Sequence, residues 1–104
     1  MENKTYRIQY LPLFKEDLSG IVDYIRQVLH NPQAAERLVN EVEVAIYKRL
    51  KAPLGHAPYP TKTKRPHPYY RIQVRNYSIF YVVEDKTMEI RRIIYNKRDI
   101  KHLL

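Results

Sequence analysis

The side chains best equipped for chemistry in this sequence are cations. Lys48, Arg49, Lys51, Lys62, Lys64, Arg65, Arg71 and Arg75 lie between Val44 and Val83, a stretch with no Asp or Glu, and they account for the whole net charge of +8. Elsewhere basic and acidic residues balance. Ammonium and guanidinium groups at this density bind phosphates or carboxylate-rich surfaces, so a polyanion or an acidic protein is the first partner to expect.

The spacing narrows the surface. Tyr69-Tyr70-Arg71-Ile72-Gln73-Val74-Arg75 reads as a strand, whose alternation puts Tyr69, Arg71, Gln73 and Arg75 on one face and Tyr70, Ile72 and Val74 on the core face. Two guanidiniums beside an aromatic ring are a common composition for phosphate and base contact. Lys62-Thr63-Lys64-Arg65 adjoins this face, and Arg98 follows the last expected strand. Lys62, Lys64, Arg65, Tyr69, Arg71, Gln73, Arg75 and Arg98 therefore form the expected target-binding surface.

Other chemistries lack support. His30, His56, His67 and His102 stand at no ligand spacing and there is no Cys, so neither a metal site nor a thiol nucleophile nor a disulfide is expected. The only glycines, Gly20 and Gly55, form no phosphate-binding loop, and no cofactor motif is present. The expected strands hold only Glu84, Asp85 and Glu89 as acids. Catalysis would have to use Arg and Lys to stabilise charge, with Tyr or His moving protons.

The elements that position these groups follow from periodicity. Tyr6 to Tyr10 alternates as a strand, and Pro12 ends it. Phe14, Leu18, Ile21, Val22, Ile25, Val28 and Leu29 recur at helical spacing, giving a helix of about four turns. Gly20 within it predicts a close approach to the helix backbone. Asn31-Pro32 caps and starts a second helix with Ala35, Leu38, Val39, Val42, Ala45, Ile46 and Leu50 on its apolar side. The short link makes an antiparallel helical hairpin. Five of the seven prolines fall between Ala52 and Pro68, which predicts an irregular surface loop. Tyr69–Arg75, Tyr77–Glu84 and Met88–Tyr95 then form a meander with turns at Asn76 and Asp85-Lys86. Arg91 and Arg92 should point to opposite faces, with one of them paired to Asp17 or Asp23. Asn96 to Leu104 is a short basic tail of one or two helical turns.

The expected architecture is α+β: an N-terminal strand, an antiparallel helical hairpin packed on a twisted antiparallel sheet, and a C-terminal three-strand meander with the tail. The 104 residues fit one domain. No apolar run reaches the length of a membrane span and no secretory signal is visible, so the cytoplasm is the expected location.

The order of these elements, with Asn31-Pro32-Gln33-Ala34-Ala35, Pro53-Leu54-Gly55, Tyr70 to Tyr81, Ile90 to Ile94 and Lys97-Arg98-Asp99, resembles toxins of the RelE/ParE superfamily over nearly the whole chain. The resemblance implies a cognate antitoxin, usually acidic, that wraps the toxin as a hetero-oligomer. It also implies one of two targets: messenger RNA on the ribosome for the RelE-like branch, or DNA gyrase for the ParE-like branch. Carried over by position, the RelE-type catalytic set keeps Arg71 and Arg98. Gln73 and Ser78 stand where basic residues are expected, and no tyrosine stands near Leu104. A nuclease of that type stabilises its transition state with several cations, and the long helical hairpin and the Arg98-Asp99 ending look more like the ParE branch, so the resemblance leans toward gyrase inhibition. Ribosome-dependent messenger RNA cleavage is the alternative, and a non-toxic basic nucleic-acid or protein-binding module is a third reading.

Overall fold

The computed structural model describes residues 5–104 as β1 (Arg7–Tyr10), α1 (Pro12–Asp23), a π-helical turn (Tyr24–Val28), α2 (Pro32–Arg49), β2 (Tyr70–Val74), β3 (Tyr77–Glu84), β4 (Thr87–Tyr95) and α3 (Ile100–Leu103). The sheet order is β1-β4-β3-β2. The three-strand meander is antiparallel, whereas β1 joins β4 in parallel from Arg7↔Thr87 to Tyr10↔Ile90. The sheet is thus mixed, with β1 satisfying the edge of β4 that the meander leaves open.

Local chemistry accounts for the boundaries. Asn31 Oδ1 accepts from the Ala34 N–H at 3.1 Å, and Pro32 occupies the first helical position, which satisfies or removes otherwise orphaned donors at the start of α2. Upstream, the Leu29 N–H donates to the Tyr24 carbonyl, five residues back. This wide turn advances the helix phase by an extra residue. Ile25 stays buried, but Val28 and Leu29 are 58 % and 55 % exposed, so they do not join the apolar stripe that simple helical spacing gives them. His30 then takes a φ of 52° and the Asn31 N–H reaches the Ile25 carbonyl, the left-handed termination that closes many helices.

Gly20 also departs from expectation. A Cβ there would meet nothing within 4 Å, so no element packs closely against it. The Asp85-Lys86 turn has φ of 50° and 61°, matching the two left-handed positions that a two-residue hairpin with this twist requires.

Two apolar clusters sandwich the sheet. Phe14, Ile25, Ala35, Leu38, Val42 and Ile46 bring the helices onto one face, against residues such as Ile72, Ile79, Tyr81 and Ile90. On the other face Tyr69, Phe80, Val82 and Ile94 are covered by Tyr59 of the long loop and by Ile100, Leu103 and Leu104 of the tail. The meander is therefore buried on both sides, which explains the near-continuous burial of β3 from Ser78 to Val82.

The pairing of β3 with β4 shifts register once. Phe80 faces Arg92 and Tyr81 faces Ile90, leaving Arg91 as an extra residue in β4. Strict alternation fails at such a bulge. Arg92 pairs with Asp17 of α1, as expected for a buried guanidinium, and also donates to the Leu103 carbonyl at 2.9 Å. It joins helix, sheet and tail. Arg91 turns instead to Glu89 and lies over the Tyr69 ring.

Candidate functional site

Arg71 is exposed near the start of β2, its Nη2 donating to Gln73 Oε1 at 2.7 Å, and Gln73 Nε2 donates in turn to the Arg75 carbonyl at 2.9 Å. Alternation puts Arg71 and Gln73 on the same face, and this short chain of bonds fixes their side chains there. The Arg71 guanidinium lies over the ring of Tyr59, 5.8 Å from its centroid. Tyr59 is held in place by its N–H bond to the Tyr69 carbonyl at 2.7 Å and by edge-on packing against Phe80. The proline-rich loop is thereby laid along β2 and brings its own cations to the same side of the sheet.

The neighbouring recess, about 410 Å³, is formed where the loop meets the tail and is lined by Tyr59, Thr61, Lys62, Arg65, Lys101 and Leu104 among others. Arg65 stacks over Tyr69 at 4.5 Å, a contact in which the ring face attracts the cation and leaves its N–H edges available. Strand alternation assigns Tyr69 to the exposed face, yet it is only 5 % exposed. It serves as the platform beneath Arg65 and Arg91, because the tail and Tyr59 cover this face. Tyr59 and Lys101 join the surface without any sequence signal of their own, since only the fold carries the loop and the tail to β2.

The remaining expected residues lie elsewhere. Arg75 sits in the β2–β3 turn with a φ of 52°, and this swings its side chain out of the strand alternation. Its Nε and Nη2 donate to both carboxylate oxygens of Glu41 on α2, at 2.5 and 2.8 Å. That bond holds the Glu41 carboxyl below its usual range. Arg98 lines a separate groove of about 810 Å³ between α1 and the end of β4, with Gly20, Ile21, Tyr24, Tyr77 and Tyr95. Burial, with smaller contributions from Tyr95 and Tyr24, raises the Tyr77 hydroxyl pKa. Lys64 is exposed in the loop.

Ion pairing separates the occupied cations from the available ones. Among the described residues Arg75, Arg91 and Arg92 pair with Glu41, Glu89 and Asp17, while Lys62, Lys64, Arg65, Arg71, Arg98 and Lys101 take part in no ion pair. Arg49 braces the fold, its Nη1 donating to the Arg71 carbonyl and to Tyr81 Oη, and Tyr81 donates to the Pro53 carbonyl at 2.7 Å. Burial raises the Tyr81 pKa against the opposing influence of Arg49, so the phenol stays a donor. Ser78 is fully buried, bonded to Asn96 Oδ1 at 2.6 Å. Among the described residues no three His, Asp or Glu side chains gather as a metal site, and no helix is long and apolar enough to cross a membrane.

With this geometry in place, comparison with known proteins is decisive for the family. The family model for the ParE toxin of type II toxin–antitoxin system, parDE, matches residues 8–100. The chain belongs to the ParE toxin family. The match takes in all but the first residue of β1, the helical hairpin, the cationic loop and the whole meander, ending at the first residue of α3. Among solved structures, the chromosomal ParDE toxin–antitoxin system from P. aeruginosa aligns with a TM-score of 0.72 at 18 % identity, covering 89 % of this chain and 98 % of that one. The RelB-RelE antitoxin-toxin complex from Methanococcus jannaschii aligns with a TM-score of 0.52 at 24 % identity, covering 91 % and 98 %. At these identities the likeness is one of fold. No individual curated sequence matches significantly. In this ParE-family toxin the cationic face on β2 and the groove beside α1 are thus separate surfaces of one toxin fold.

Proposed function

We propose that this ParE-family toxin arrests growth by inhibiting DNA gyrase, through the cationic face that runs from Arg71 across Tyr59 to Lys62 and Arg65, and that a cognate acidic antitoxin neutralises it. The family assignment supports the gyrase reading, and the observation that carries it is the dispersal of the RelE-type catalytic positions. Arg71 lies on the β2 face, Arg98 lines the groove beside α1, and Ser78 is buried against Asn96. Cleaving a phosphodiester requires cations and a proton-transfer group converging within hydrogen-bond reach of the scissile phosphate. Gln73, which neighbours Arg71, supplies neither.

An antitoxin partner is supported by the two structural relatives, both from toxin–antitoxin systems. This chain offers such a partner two complementary features. Unpaired Lys and Arg attract an acidic chain, and exposed Tyr24 and Leu29, which line the groove, together with exposed Val28 give it apolar surface to cover.

Expression of the toxin alone in cells separates the mechanisms. Gyrase inhibition produces a DNA-damage response and filamentation while messages stay intact. Rapid cleavage of translated messages without that response would replace this reading with the ribosome-dependent nuclease. Absence of any growth arrest would leave the non-toxic binding module.

A further inference from the structure

The recess between the loop and the tail has an arrangement that inhibition of a protein target does not require. Lys62, Arg65 and Lys101 line it with no Asp or Glu among its lining residues, and all three are free of ion pairs among the described residues. Thr61 Oγ1 donates to the Thr63 carbonyl at 2.8 Å, fastening the loop where these two residues line the recess. Partly buried Tyr59 forms one wall, and Arg71 lies over that ring while standing outside the recess. One cation therefore lies over this ring, and the others share with it the lining of the recess.

We propose that this recess and the adjoining Arg71 bind a single-stranded nucleic acid, phosphates contacting Lys62, Arg65, Lys101 and Arg71 while an unstacked base packs against Tyr59. A strand repeats phosphate, base, phosphate, and the site repeats cation, ring, cation. An acidic peptide would meet the same cations but presents no aromatic face to Tyr59. A duplex would meet them too, but its bases are stacked inside and cannot reach the ring. The inference goes beyond the gyrase reading, because a toxin can block an enzyme without holding nucleic acid and can hold nucleic acid without blocking the enzyme.

The test is fluorescence anisotropy of the full chain with a short labelled oligothymidylate, over a range of salt concentrations. The triple variant Lys62→Gln, Arg65→Gln, Lys101→Gln should lose about tenfold or more in affinity, and its slope of log affinity against log salt should become shallower by about 2, as removal of three single-strand phosphate contacts requires. A control with the same charge loss at exposed positions elsewhere, Lys15→Gln, Arg26→Gln, Lys48→Gln, should lose much less. Tyr59→Leu should weaken binding severalfold at an unchanged salt slope, and circular dichroism melting of each variant reports whether the fold is kept. Equal losses in the two triple variants would overturn the proposal, as would a matched duplex or a polyglutamate of equal charge competing as well as the single strand. Failure to bind the oligonucleotide alongside intact gyrase inhibition would sink this proposal alone; binding without inhibition would sink the gyrase reading alone.

Discussion

Arg75 and Glu41 stand 34 residues apart in sequence and join through two parallel hydrogen bonds, tying the β2–β3 turn to the middle of α2. The contact is exposed, so solvent and salt screen it. Its direction with pH is nevertheless fixed. The folded-state Glu41 carboxyl is depressed below its ordinary 4.5 by the Arg75 hydrogen bond, so the stabilisation is present above 4.5 and disappears as pH falls through the lower folded value. Glu41→Gln should lower the melting temperature at neutral pH, and the difference from wild type should vanish well below pH 4.5 and shrink in high salt. A difference that persists in acid would mean that the ion pair is not its source.

Arg92 and Asp17 form the less exposed counterpart, with both side chains about 15 % exposed. Asp17 also accepts from the Ile93 N–H, so one carboxylate satisfies a guanidinium and a backbone amide of β4. Asp17→Ala should destabilise the fold by about 3 kcal/mol, because an unpaired cation remains in a poorly hydrated place. The double variant Asp17→Leu, Arg92→Leu should recover part of that loss. Chemical denaturation of the single and double variants measures both quantities.

Gly20 lies on an exposed helical turn with open space where a Cβ would sit. Gly20→Ala should therefore stabilise the fold by about 0.5–1 kcal/mol, by reducing unfolded-state freedom without a clash. Thermal melting checks this. Destabilisation would mean that the backbone there is more constrained than its surroundings indicate.

These same residues mark how far local sequence determines the structure. Helices and strands were legible because their apolar periods of 3.6 and 2 are local properties, and the cost of burying a lone guanidinium required a pair between Arg91 or Arg92 and Asp17 or Asp23, of which the fold selects Arg92 and Asp17. Properties decided by distant chain were not legible. Alternation places Tyr69 on an open face, but the tail, some thirty positions further on, covers it. Alternation also places Arg75 beside Arg71, but the turn's left-handed φ redirects it to Glu41. Likewise, the parallel pairing of β1 with β4 joins strands separated in sequence by the helical hairpin, the loop, β2 and β3. Of the expected surface, Lys62, Arg65 and Arg71 come together around Tyr59, with Gln73 bonded to Arg71, whereas Arg98 stands in another groove.

That redistribution separates two arginines that strand alternation treats alike. Arg71→Ala should abolish growth arrest while changing stability by less than about 0.5 kcal/mol, since the Arg71 side chain is exposed, with one side-chain hydrogen bond, to Gln73, and a distant contact over the Tyr59 ring. Arg75→Ala should act through the loss of the Glu41 contact, so its effect on arrest should track its effect on melting. Induction assays paired with melting curves decide the matter; loss of arrest in Arg75→Ala at an unchanged melting temperature would return Arg75 to the functional face.

Gyrase inhibition through the β2 face is tested most directly by a supercoiling assay with purified gyrase, relaxed plasmid and purified toxin, comparing wild type with Arg71→Ala. The wild-type toxin should suppress ATP-dependent supercoiling, and Arg71→Ala should leave it nearly uninhibited. Undiminished supercoiling in the presence of folded, excess wild-type toxin would contradict the account.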